Sequence, residues 1–90
     1  MSIEIKEKDG ILQILGHINS KNVSLVKTHL AKILEVKEMI RVSLENVSGI
    51  DYDALHVLET FNQKMFEKKK SLSIFGLKNH QISKYDRLHA

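Results

Sequence analysis

The stretch VSLENVSGIDYDAL, Val42 to Leu55, decides how the chain is read. Ile40, Val42 and Leu44 alternate along one apolar edge with the period of a strand. Small and polar residues follow, as in a loop. Asp51 and Asp53 then precede Ala54, Leu58, Phe61 and Met65, which recur at helical spacing. Strand, loop and helix meet here, and the start of the helix carries two carboxylates.

Working outward, Ile3 and Ile5 alternate with charged neighbours, Asp9-Gly10 is a two-residue turn signal, and Ile11, Leu12, Ile14 and Leu15 form a second apolar run. These residues predict an antiparallel hairpin with a solvated first strand and a more central second one. After Gly16 a polar loop, His17 to Asn22, leads into Val23, Val26, Leu30, Ile33 and Leu34, the stripe of an amphipathic helix that Ser20 or Asn22 is placed to cap. Downstream of the opening stretch, the second helix runs from about Tyr52 to Lys68 and a strand from Ser71 to Phe75, ending at Gly76. Ile82, Tyr85 and Leu88 fall three apart and suggest a last short helix from Asn79. The order is β-β-α-β-α-β. Strands that alternate with single helices pair in parallel through right-handed crossovers. The predicted fold class is therefore α/β, a mostly parallel four-stranded sheet with an antiparallel N-terminal edge strand and helices packed on it.

Ninety residues form a single domain, 1–90, since a second core has no room. The chain is 42% hydrophobic and 28% charged, the balance of an ordinary folded domain. Without cysteine there is no disulfide, thiolate metal site or cysteine nucleophile, and five histidines are the remaining soft ligands. An unstapled core and an acidic N-terminus without a secretory pattern lead us to expect a cytoplasmic protein. No segment is long enough to span a bilayer, so membrane insertion is not expected. The 14 basic and 11 acidic residues are interspersed and the net charge is +3, with no basic stripe interleaved with aromatics to bind nucleic acid.

The Gly16, Ile18, Asn19 end of the second strand, the loop before the second helix and the Leu72 to Gly76 strand together resemble the STAS domain of bacterial anti-sigma factor antagonists, over essentially the whole chain. In that family the loop carries Asp-Ser-Ser-Gly-Leu or Asp-Ser-Ala-Gly-Leu. The matching positions here are Asp51, Tyr52, Asp53, Ala54 and Leu55, of which the first aspartate and the leucine agree. The family's second strand commonly ends in Gly-x-Leu-Asp, where this chain has Asn19 in place of the aspartate. The resemblance implies a non-catalytic module that binds a protein partner, an anti-sigma factor or serine-kinase-like ATPase, in sigma-factor regulation. Phosphorylated relatives accept phosphate on the second serine, and phosphate abolishes binding. Here that position is Asp53, which lacks the hydroxyl that a serine kinase modifies.

A helix start favours anions by about 0.3 to 1 kcal/mol at exposed positions, so either phosphoserine or Asp53 suits the site. Asp53 imitates the phosphorylated state, or it leaves the domain permanently able to bind. Tyr52, an aromatic beside a loop, favours binding. The partner-binding candidates are Ser48, Asp51, Tyr52, Asp53 and His56, with Glu59, Asn62 and Gln63 on the outer face of the same helix. The plainer alternative is that Asp51 caps the helix and Asp53 complements its dipole. A second functional reading resembles the small STAS subunits that support lipid-transport ATPases. Asp51, Asp53 and His56 could also be taken as a metal or acid-base cluster, but no second motif supplies a pocket or convergent groups. We expect no catalytic residue, cofactor or metal. His17, His29, His80 and His89 are scattered and read as structural, and Lys68, Lys69 and Lys70 as a solvated helix end.

Overall fold

The expected hairpin is formed by β1 (Glu4–Lys8) and β2 (Ile11–Ile18), antiparallel with Lys8 opposite Ile11 and Glu4 opposite Leu15. Asp9 and Gly10 turn the chain at φ of 56° and 78°, the two positive angles that a tight hairpin matched to strand twist requires. The computed structural model of the chain describes residues 3–83. From β2 the chain passes through α1 (Val23–Val36), β3 (Met39–Ser43), β4 (Val47–Asp51), α2 (Tyr52–Glu67) and β5 (Ser71–Phe75), then a single 3₁₀ turn at Asn79–Gln81 and a short β6 (Ile82–Ser83).

The strand register reduces these six strands to four tracks. β2 pairs in parallel with β3 at Ile11↔Arg41 through Gln13↔Ser43, and with β4 at Gly16↔Val47 through Ile18↔Ile50. The Val47 amide donates to the Leu44 carbonyl at 3.1 Å, so residues 44–46 form a tight turn that is too contracted to carry the chain the further ~10 Å from one edge of β2 to the other. β3 and β4 therefore lie end to end along one edge of β2, and β1 occupies the other. β5 runs beside β3, from Met39↔Ser71 to Ser43↔Phe75, and β6 beside β4 at Ile50↔Ile82 and Asp51↔Ser83. The result is the predicted mostly parallel sheet with an antiparallel N-terminal edge, two of its tracks interrupted at the same level.

Two expectations are corrected. The small-polar segment before α2 is not simply a loop, because it contains β4. Ser48 is an extra residue in the ladder and Gly49 has no side chain, so the period-two signal is lost there. The expected helix from Asn79 is instead one 3₁₀ turn followed by β6, in which Ile82 pairs with Ile50. Tyr85 and Leu88 lie outside the described residues.

Gln81, buried to 6% exposure, fills the interruption. Its Nε2 donates to the carbonyls of Leu44 (3.0 Å) and Val47 (2.6 Å), on either side of the break in the β3–β4 track. Its Oε1 accepts from the Lys78 amide at 2.7 Å.

Both crossovers, β2-α1-β3 and β4-α2-β5, progress the same way across the sheet, so right-handedness puts both helices on one face. Ile14, Ile18, Val42 and Ile50 from the sheet close on Val26, Leu30 and Leu34 of α1 and Ala54, Leu58 and Phe61 of α2. Leu55 and Met65 pack half-buried against it. At the end of α2 the Lys70 amide donates to the Met65 carbonyl (2.8 Å) and the Lys69 amide to that of Phe66 (2.9 Å), with Lys69 at φ 65°. This paired closure is usually made by glycine.

Replacing Lys69 with glycine should therefore stabilise the fold by about 0.5–1 kcal/mol, seen as a higher urea midpoint with an unchanged slope. Gln81→Ala removes the buried donor shared by the Leu44 and Val47 carbonyls, leaving Leu44 with only its turn bond from the Val47 amide, and should cost about 1–3 kcal/mol in the same measurement.

Candidate functional site

Parallel strands deliver their C-terminal ends, and the starts of the helices that follow them, to one end of the sheet. β2 ends at Ile18 and β4 at Asp51, so the turn before α1 and the first turn of α2 lie side by side. Ile18 and Ile50 are fully buried under the helices. By strand alternation their neighbours His17, Gly49 and Asp51 project to the opposite face.

These three residues form one unit. His17 is paired with Gly49 in the ladder, and its ring crosses that position to reach Asp51 two residues further on. His17 Nε2 donates to Asp51 Oδ1 at 2.7 Å, the direction fixed because a carboxylate only accepts. A Cβ on residue 49 would stand 2.8 Å from His17 Nδ1 and 2.9 Å from Cε1, so any larger residue would push the imidazole out of the place from which it holds Asp51. The His17 carbonyl accepts from Asn22 Nδ2 at 2.9 Å. Asn22 Oδ1 takes the Asn19 amide at 2.9 Å, and Asn19 Oδ1 takes the amides of Lys21 (2.8 Å) and Asn22 (3.0 Å). Asn19 and Asn22 thus lock the β2–α1 turn with neutral side chains.

Several expected roles change accordingly. Asn22 occupies the N-cap position of α1 but makes no side-chain capping bond, and Asp51 likewise stands at the N-cap of α2 without capping it. The carboxylate of Asp51 is engaged by His17 instead, which leaves the first amides of α2 without a side-chain cap. Asp53 lies in the first turn of α2 and is exposed, while Tyr52 is 62% exposed beside it. Asp51, Tyr52 and Asp53 are therefore together. His56 is one turn along α2 and exposed, lining the groove between the helices. Ser48 is set back in β4, about 10 Å from Asp51 at strand rise, exposed as the extra residue of the bulge.

His17, expected to be structural and assigned no site role, is the missed member. A signal was available: a histidine and an aspartate at the ends of two parallel strands, with glycine two residues before the aspartate. Leu25 was also missed. It falls off the apolar stripe of α1, lies in the first turn and is 62% exposed, at the same end as Tyr52. Among the described residues no group of three or more His, Cys, Asp or Glu is placed to hold a metal. No helix among them is long and apolar enough to cross a membrane.

The sequence model of the STAS domain family matches residues 1–89. No curated protein matches the chain. A solved structure titled "Crystal Structure Analysis of Mglu" superposes with a TM-score of 0.66 at 10% identity, over 84% of this chain and 20% of that one. At that identity the likeness concerns the fold alone, and the chain spans about a fifth of the length of that protein.

Gly49→Ala should cost about 1–3 kcal/mol by forcing the His17 ring aside. In a His17→Ala background the penalty should fall by more than about 0.5 kcal/mol, the coupling expected of residues in contact, as read by a double-mutant cycle in urea. Equal penalties in both backgrounds would show that the ring does not depend on Gly49.

Proposed function

The chain belongs to the STAS domain family, and we propose that it is a non-catalytic regulatory module that docks a protein partner through the start of α2. The observation that carries this reading is the exposure of Asp53 and Tyr52 on the first turn of a helix whose N-cap aspartate is drawn away by His17. A fixed negative charge and an aromatic anchor are presented side by side on a rigid frame, with Leu25 exposed at the same end. Such an arrangement suits a partner that supplies a cation opposite Asp53 and a pocket for the Tyr52 ring.

The finer reading is an anti-sigma factor antagonist whose partner is an anti-sigma factor of the serine-kinase-like ATPase kind. Asp53 stands where phosphorylated relatives carry serine, so the surface keeps one charge state near minus one, against about −1.5 to −2 for a phosphoserine. Binding is then constitutive, with Ser48, Asp51, Tyr52, Asp53 and His56 forming the contact. The function resides in recognition, and the cell in which the chain works supplies the partner ATPase.

The test is co-purification followed by titration calorimetry with the recovered partner. A kinase-like ATPase should bind, Tyr52→Ala should weaken it by about tenfold or more as expected of a truncated anchor, and Asp53→Lys should do so at least equally. Radiolabelled ATP should leave the domain unlabelled. Label on Ser48 or Tyr52 would overturn the fixed-charge reading, and recovery of a transporter ATPase would assign the domain to a lipid-transport assembly.

A further inference from the structure

We propose that the groove between α1 and α2 is a second docking surface, and that its occupant is an acidic amphipathic helix of a partner protein. This goes beyond the reading of the α2 start and does not rest on it. The groove encloses about 430 Å³. Its floor is a row of apolar side chains on α2, Val57, Phe61 and Met65, spaced four residues apart. The parallel row His56, Thr60, Lys64 and Lys68 forms one rim, and Lys27 of α1 contributes across the groove. A second depression of about 270 Å³ shares Met65 and Lys68 and continues toward Ala31 and Lys70, with Glu35 the acid at that end. From His56 to Lys68 the surface runs about 18 Å at helical rise.

Charge selects the occupant. The ion pairs among the described residues are Lys6–Glu4, His17–Asp51 and Lys70–Glu38, so Lys27, Lys64 and Lys68 are not engaged by a carboxylate there. Three unneutralised ammonium groups above an apolar floor match carboxylates flanking an apolar stripe. Shape selects its form. Phe61 is only 6% exposed, and Val57 and Met65 are half-buried, so the apolar surface is recessed. A bilayer requires apolar side chains that protrude, whereas a helix inserts its own knobs at a matching four-residue spacing.

The probe is a synthetic peptide of about 15 residues with leucines at i, i+4, i+7 and i+11 and glutamates flanking them, added to the ¹⁵N-labelled chain at low salt. Its counterpart has lysine at every glutamate, and phosphatidylglycerol vesicles serve as the membrane arm. The glutamate peptide should shift the amides of Val57, Thr60, Phe61 and Met65, and the lysine peptide should not. Lys27→Glu combined with Lys64→Glu should weaken the glutamate peptide by about tenfold or more and admit the lysine peptide, as expected when complementary charge is reversed. The milder Lys27→Gln, Lys64→Gln pair should give an intermediate loss and provides the reading if charge reversal unfolds the domain. Absence of shifts, shifts centred on Tyr52 and Asp53, undiminished binding by either pair of substitutions, or a response to vesicles but not to peptide would each overturn the assignment.

Discussion

The parallel pairing of β2 with the β3–β4 track is the constraint on which the rest of the molecule depends. It begins in register at Ile11↔Arg41 and slips between Gly16 and His17, so that β4 gains one residue on its neighbour. Without that slip Ser48, and not Gly49, would stand opposite His17. The imidazole could not cross a serine side chain to reach Asp51, and Asp51 would be free to cap α2. The geometry of the helix start is thus set by a bulge in the strand before it, in keeping with the tendency of bulges to re-aim side chains beside functional surfaces.

Much of this was legible in the chain because several local signals agree. Asp9-Gly10 between apolar runs specifies a hairpin, and Val23, Val26, Leu30 and Leu34 specify a buried helix face. Alternation of strands and helices then leaves few topologies. The elements that escaped are those whose stabilising contacts come from far along the chain. β4 has only Val47 and Ile50 as apolar residues, separated by a bulge and a glycine, and it persists because β2 and β6 flank it. Gln81 gives no sign in sequence that it will be buried, since its partners, the Leu44 and Val47 carbonyls, are 37 and 34 residues away. The same holds for the bond from His17 to Asp51, which spans 34 residues. Asp53 was legible as exposed and first-turn because both properties follow from a helical period counted a few residues onward.

The modest net charge conceals a division between two surfaces. At the start of α2, Asp53 places negative charge where unpaired amides and the positive end of the helix dipole favour it. Along the body and end of the same helix, Lys64 and Lys68 occupy the end where cations are favoured, and Lys27 of α1 faces them across the groove. One helix therefore presents opposite signs at its two ends, each stabilised locally by the backbone. A partner that engaged both would be held in a single orientation, since turning it around would set like charges against each other.

That polarity bears on what a fixed aspartate means in place of a modifiable hydroxyl. A phosphoryl group controls binding only by adding charge and bulk that the partner discriminates against, and the extent of the shift is bounded by the difference in affinity between the two states. On the proposed reading Asp53 gives the contact surface one charge state, and regulation would then act through the partner or through the concentration of the domain. The surroundings accord with a constant surface. The β2–α1 turn is closed by neutral Asn19 and Asn22, Asp51 is held by His17, and Gln81 ties the two interrupted tracks together beneath them. Rigidity of this kind lowers the ordering cost of association, so a small contact of one aromatic and one carboxylate can be enough for specific docking.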